Sequence, residues 1–314
     1  MKSKPSIHIP PIVYRLIGLT LIAATLTLST DAFLTTSNLL NVLRQASLMF
    51  LIASGLTLVV LTAGLDLSVG AVVGLSACLA GAAIKATGSI SLGIAAGLAC
   101  GVAVGLANGL MVTRLKLPPF IATYGMLWII YGVNYWYMAG DTIYGFSDAF
   151  KDLGNGHVLE VPIPVYLMLA TLLFGGLFTR HTTYGHEIYA IGANAEAARL
   201  AGIPVRARLV LVYTLSGAMA GIAGVVYLAR LGSAEAGIGE PLLLPVIAAV
   251  LIGGTSLFGG AGGLSGTLIG SLILILVLNG MNLLTVNAHL HPLVYGAVVL
   301  AAAGIDAVTR RWTE

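Results

Sequence analysis

Charge is what this chain has least of: only 9% of its 314 residues are Asp, Glu, Lys or Arg, against about a quarter in a soluble domain. With 58% hydrophobic residues beside it, that scarcity excludes a soluble globular fold. There are two cysteines, Cys78 and Cys100, both inside apolar stretches, which excludes a disulfide framework and a cysteine zinc site and leaves them as space-fillers. Carboxylates and histidines are nearly absent from the middle of those stretches. An ion-coupled carrier keeps such groups there to bind its driving ion, and an intramembrane enzyme needs them clustered. The run GGTSLFGGAGG at 253–263 lacks the Lys and following Ser or Thr that grip phosphate and magnesium, so the chain has no nucleotide motif of its own. His289 and His291 lack a third ligand, and no metal site is expected.

What the chain does have is hydrophobic windows of the length that crosses about 30 Å of hydrocarbon. They lie near 12–31, 44–63, 67–86, 90–112, 119–139, 162–179, 209–229, 243–258, 264–284 and 293–308. The expected fold is an all-α membrane protein of about ten transmembrane helices forming one transmembrane domain over 1–314. Forty glycines suit membrane helices that approach closely. The window 243–284 is broken by glycines and reads either as two spans or as one span with a re-entrant hairpin. Lys2, Lys4 and Arg15 precede a first helix expected to be retained rather than cleaved.

With both termini inside, Lys2, Lys4, Arg15, Arg114, Lys116, Arg180, Arg199, Arg206, Arg208, Arg310 and Arg311 face the cytoplasm. Only Arg44, Lys85, Lys151 and Arg230 face out, a bias that sets the N-in, C-in orientation. Spans two to five and seven to ten then run in opposite senses, the layout of an inverted repeat with a transport path at its interface. The acidic, aromatic loop 140–161 reads as a short amphipathic helix at the membrane surface or as a docking surface for an outside partner.

Three segments stand out. In GLDLSVG, Gly64 and Gly70 are expected to let the backbone turn sharply around Asp66, which with Ser68 reads as an N-cap of the third span or as a gating group. At Gly253, Gly254, Thr255 and Ser256 a broken-helix turn is expected, the hydroxyls satisfying freed backbone groups. The polar segment 180–208 is long enough to fold outside the bilayer. There Asn194 caps a helix of about two turns stopped by Gly202, with Glu196 and Arg199 spaced to pair with each other or with a partner. So short a helix is unstable alone and reads as docking on another protein or resting on the bundle.

GLDLSVG at 64–70, YGHEIYAIGANAEAARLAGI at 184–203 and AAVLIGGTSLFGGAGGLSGTLIG at 248–270 together resemble the permease subunits of bacterial ABC importers for monosaccharides, the ribose, xylose and arabinose type. LARLGSAEAGIG at 228–239 and NGMNLL at 279–284 extend the likeness over nearly the whole chain. The resemblance implies a bacterial inner-membrane transport subunit rather than an enzyme. Its partners would be an ABC ATPase that binds the ATP, a periplasmic sugar-binding protein, and a second permease copy or a sister permease in the lipid bilayer, with no cofactor of its own and no nucleic acid. It also implies that 180–208 is the cytoplasmic coupling loop, with Gly192, Asn194, Ala197, Leu200 and Gly202 as coupling residues. One departure is the stretch Leu243-Leu244-Pro245-Val246, where such permeases carry Glu-Leu-Asp-Ala and where the proline is expected to interrupt the first turn of a span. The rival readings are an ion-coupled secondary carrier, or a related permease for nucleosides, branched-chain amino acids or signalling furanoses.

Overall fold

The structure is a computed structural model describing residues 11–311, with side chains described over 12–301. Lys2 and Lys4, and the side chains of Arg310 and Arg311, lie outside that description.

Thirteen α-helices follow one another among the described residues: α1 Pro11–Ser29, α2 Thr36–Leu61, α3 Val69–Thr87, α4 Ile90–Thr113, α5 Pro119–Met138, α6 Asp148–Asn155, α7 Ile163–His181, α8 Thr183–Ala193, α9 Ala195–Leu200, α10 Val205–Leu231, α11 Leu243–Ile252, α12 Leu264–Leu283 and α13 His291–Arg311. Strands are confined to two-residue pairs, Ile143–Tyr144 with Ser233–Ala234 and His157–Val158 with Val161–Pro162.

Seven of these helices, α1, α2, α3, α4, α7, α10 and α12, are long and apolar enough to cross a membrane. Of the remaining three expected spans, two differ from the expectation. Although it has 20 residues, α5 carries too many Tyr, Trp, Gly and Asn to qualify. At ten residues α11 is half the length a crossing needs, and with the irregular stretch before it the chain returns from the strand pair at the far end of α10 to Gly260 beside α8, so 243–284 is a half-length helix followed by one full span. The third, α13, has 21 residues, with its side chains described as far as Ala301.

Two helices begin earlier than their hydropathy suggests. The first turns of α2 are polar, yet Thr35 caps them by accepting from Asn38 N, and Asn38 exchanges amide hydrogen bonds with Asn279 of α12 at 3.1 and 2.7 Å. For α10 the start follows Pro204, which cannot continue a helix from before but opens one well.

The core is built around α2, which is buried on every side from Ala46 to Leu61. It runs antiparallel to α10, since Leu58 and Leu61 near its end share a cluster with Val212 and Tyr213 in the first half of α10. Packing is matched on the two sides: α10 lies on α3 and α4 as α2 lies on α11 and α12, and α3 meets α4 and α5 as α11 meets α12 and α13. The tightest contact joins α4 to α10. Gly97, Gly101, Gly105 and Gly109 recur at every fourth position of α4, and a Cβ on any of the last three would collide with α10 backbone.

Candidate coupling site

The segment between α7 and α10 folds as two helices. Thr182 caps α8 by accepting from Gly185 N at 3.1 Å. Where α8 ends, the Asn194 carboxamide oxygen accepts from Glu196 N at 3.0 Å and Ala197 N at 2.9 Å, opening α9. The far end of α9 closes with Gly202 at φ +86° and with Ile203 N donating to Ala198 O at 3.0 Å, a left-handed stop that Gly accommodates without strain. Ala198 faces inward while Leu200 stands 74% exposed, so α9 presents an apolar tip to whatever lies beyond the bundle.

Glu196 and Arg199 pair with each other across one turn of α9, both exposed, and Arg199 holds the Glu196 carboxyl below its usual range. A second ion pair, Glu187 with Arg208, is mostly buried and straps α8 to the start of α10. The Arg208 guanidinium also stacks 4.2 Å from the centre of the Tyr184 ring. These two contacts make the segment one body.

Beneath that body three backbones meet. Gly260 N donates to Leu61 O, the last carbonyl of α2, at 2.9 Å. Gly192 of α8 fills the remaining space: a Cβ there would overlap the Leu61 carbonyl and the Gly260 amide. Gly259 is pressed against Gly192 in the same way, and Tyr189 OH donates to Gly262 O at 3.0 Å. The segment therefore rests directly on the end of α2 and on the 253–263 turn.

Five residues beyond Leu61 lies Asp66, 1% exposed. One of its carboxylate oxygens accepts from Ser68 N at 3.0 Å and the Ser68 hydroxyl at 2.7 Å, the other from the Ser216 hydroxyl of α10 at 3.0 Å. Asn108 of α4 donates onward to the Ser68 hydroxyl at 2.8 Å, and Thr123 of α5 donates to Leu65 O at 3.1 Å. Neutral donors surround the carboxylate, and no ion pair reaches it among the described residues. The arrangement orders a turn and ties α3, α4, α5 and α10 to it.

Several expectations change at this level. Ala63, at φ 57°, makes the left-handed turn before Asp66; Gly64 and Gly70 provide room, under the Tyr213 hydroxyl and against the Gly239 carbonyl respectively. The expected cap of the third span is not made: Ser68 opens α3 without a side-chain cap bond, and Asp66 instead holds Ser68 and the Ser216 hydroxyl of a helix 150 residues away in sequence. In the 253–263 turn Gly254, Gly259, Gly260, Gly262 and Gly263 all have positive φ, while Gly253 stays right-handed so that it can lie against Gly266. The Ser256 hydroxyl accepts from Phe258 N, as expected, whereas Thr255 Oγ1 is buried without a partner. Pro245 sits in the first turn of α11, where no amide donor is needed, and does not interrupt it. The loop 140–161 contains the short amphipathic helix α6, with Phe150 buried beneath it.

Sequence reading missed α8, Gly192 as a close-contact residue, and the Glu187–Arg208 strap. The Glu and Arg are 21 residues apart, beyond any helical spacing rule, and only their sparse, polar surroundings marked them.

Seven helices long and apolar enough to cross a membrane, with two capped helices at one end of the bundle, make this a multi-helix membrane protein. Residues 38–303 match the family described as branched-chain amino acid transport system / permease component. The chain is 41% identical over 292 residues to the ribose import permease protein RbsC of Escherichia coli, covering 92% of this chain and 91% of that one. It is 39% identical over 305 residues to RbsC of Bacillus subtilis, covering 96% and 95%, and 36% identical over 282 residues to the D-allose transport system permease protein AlsC of Escherichia coli, covering 89% and 86%. No solved structure matches. The chain belongs to this family of ABC importer permeases, multi-pass proteins of the inner membrane.

Proposed function

We propose that the chain is the permease subunit of an importer for a monosaccharide or related polyol, driven by ATP bound and hydrolysed on a separate ATPase subunit and supplied by a periplasmic sugar-binding protein. The observation that carries the proposal is the backbone junction of Leu61, Gly192 and Gly260, which gives α8 and α9 a stiff grip on two helix ends at once. In this reading α9 is the coupling helix and its exposed Leu200 seats in the ATPase. Movement of that helix shifts the ends of α2 and α12 together and alternates access to a path between the halves. Likeness to the ribose and D-allose permeases supports a neutral sugar as cargo, as does the lack of a buried cation or unshielded carboxylate among the described residues.

The N-in, C-in orientation, with α8 and α9 in the cytoplasm, rests on the lysine and arginine distribution. The matched packing of α2–α5 and α10–α13 supports the inverted repeat. A second permease copy or sister permease fits the outer face of α5. Gly125 and Gly132 there have nothing within 4 Å, and Tyr124, Trp128 and Trp136 stand exposed on a helix too polar for plain lipid contact.

The test is co-purification in mild detergent from the native host, followed by uptake of ribose, allose, xylose and arabinose in vesicles loaded with ATP. A stoichiometric ATPase and ATP-dependent uptake of one of these sugars are expected. Uptake that collapses with an ionophore while ATP stays high would instead identify an ion-coupled carrier.

A further inference from the structure

A groove of about 950 Å³ opens between α1 and α7, on the side of the bundle that carries the 253–263 turn. Leu169, Leu172, Leu173 and Leu177 form its wall on one face of α7, and Gly176 leaves the space between them open, since a Cβ there would meet nothing within 4 Å. From Leu169 to Arg180 the strip rises about 16 Å, close to one leaflet's share of a roughly 30 Å hydrocarbon core. The strip ends in charge: Arg15, Arg180 and His181 line the mouth, and no Asp or Glu lines any part of the groove.

Among the described residues none of the three basic groups has an acidic partner. The ion pairs among the described residues are Lys151–Asp148, Arg199–Glu196 and Arg208–Glu187. Residues 1–10, which adjoin Arg15 in sequence, contain no Asp or Glu that could serve as one. The Arg15 guanidinium is nonetheless seated rather than free, half-buried over Gly254 and Gly266, where added Cβ atoms would meet it. A half-buried guanidinium with no acidic partner among the described residues is a favourable seat for an anion. A second groove, between α7, α2 and α10, serves as an internal comparison: Leu51, Phe174, Leu211 and Met219 line it without a single charged residue, as ordinary contact with hydrocarbon requires.

We propose that the groove between α1 and α7 is a binding site for an anionic glycerophospholipid. One acyl chain lies along the α7 leucine strip and the phosphate sits between Arg15 and Arg180. The site is independent of which solute is carried.

The test is native mass spectrometry of the full chain, taken from vesicles of phosphatidylcholine doped with phosphatidylglycerol. Preferential retention of phosphatidylglycerol is expected, and the Arg15→Gln, Arg180→Gln double variant should reduce it about thirty-fold, taking the attraction of two basic groups for an anionic lipid. The Arg15→Lys, Arg180→Lys variant should retain most of it, which separates lost charge from lost fold. Leu173→Trp, which fills the groove, should reduce lipid retention with both arginines intact. Equal retention of the two lipids, or retention unmoved by the Gln pair, would overturn the proposal. So would binding of inorganic phosphate alone that displaces the lipid, since the site would then be one for a soluble anion. A Leu173→Cys chain that cross-links to a second copy would show a protein partner covering the groove and overturn it as well.

Discussion

α4 and α5 are consecutive helices that both pack against α3, and both carry glycines in a regular row, yet the rows do opposite things. On α4, Gly101, Gly105 and Gly109 are pressed against α10 so closely that a single added carbon would strike backbone. On α5, Gly125 and Gly132 face empty space beside exposed Tyr124, Trp128 and Trp136. Glycine is a poor helix residue unless something uses its absent side chain. On α4 that use lies within the chain; on α5 no described residue supplies it, which is where the proposed permease partner is placed. The contrast separates a fixed wall, α4 with α10, from an open face on which assembly is proposed.

The contrast breaks most visibly at Gly105→Leu. With the Tyr213 carbonyl in the way, the variant should lose about 3 kcal/mol or more and fail to accumulate as folded protein, as read by yield in the membrane and by fluorescence size-exclusion. Gly192→Val comes next: the chain should still fold and enter the membrane but fall at least about tenfold in ATP-driven uptake, because the valine forces α8 off Leu61 and Gly260. Native-like uptake by that variant would remove the junction from the mechanism.

The paired change Gly125→Leu, Gly132→Leu sharpens the other half of the comparison. Thermal stability of the isolated chain should move by less than about 0.5 kcal/mol, since nothing in the chain touches either site, whereas assembly with a second permease should weaken, measured by the mass of the purified complex. Smallest in stability are Glu196→Ala and Arg199→Ala, an exposed pair whose loss should scarcely shift unfolding. If α9 meets the ATPase through these charges, each variant should still lower uptake; unchanged uptake would assign the contact to Leu200 and its apolar neighbours.

The sequence discloses those parts of this fold that depend on neighbours along the chain. The caps of α9 are local, Asn194 reaching two and three residues forward and Gly202 turning in place, and both are legible from residue type alone. Hydropathy finds the helices that meet lipid and misplaces the polar starts of α2 and α10, where Asn38 is satisfied by Asn279 from the far end of the chain. Asp66 announces itself as a lone carboxylate, but its partner Ser216 belongs to another helix and has no sequence signal. Gly192 was visible only through resemblance, as a motif position without a physical reason; the reason is a meeting of three backbone segments separated by many tens of residues.

The junction also bears on how such a protein is dissected genetically. An alanine scan works by shortening side chains, so it finds contacts that side chains make. At Gly192, Gly259 and Gly260 there is nothing to shorten, and scans that pass over glycine leave all three untouched. A mutational map drawn that way would show α9 and the Asp66 turn as two separate sensitive islands, with the ground that joins them silent.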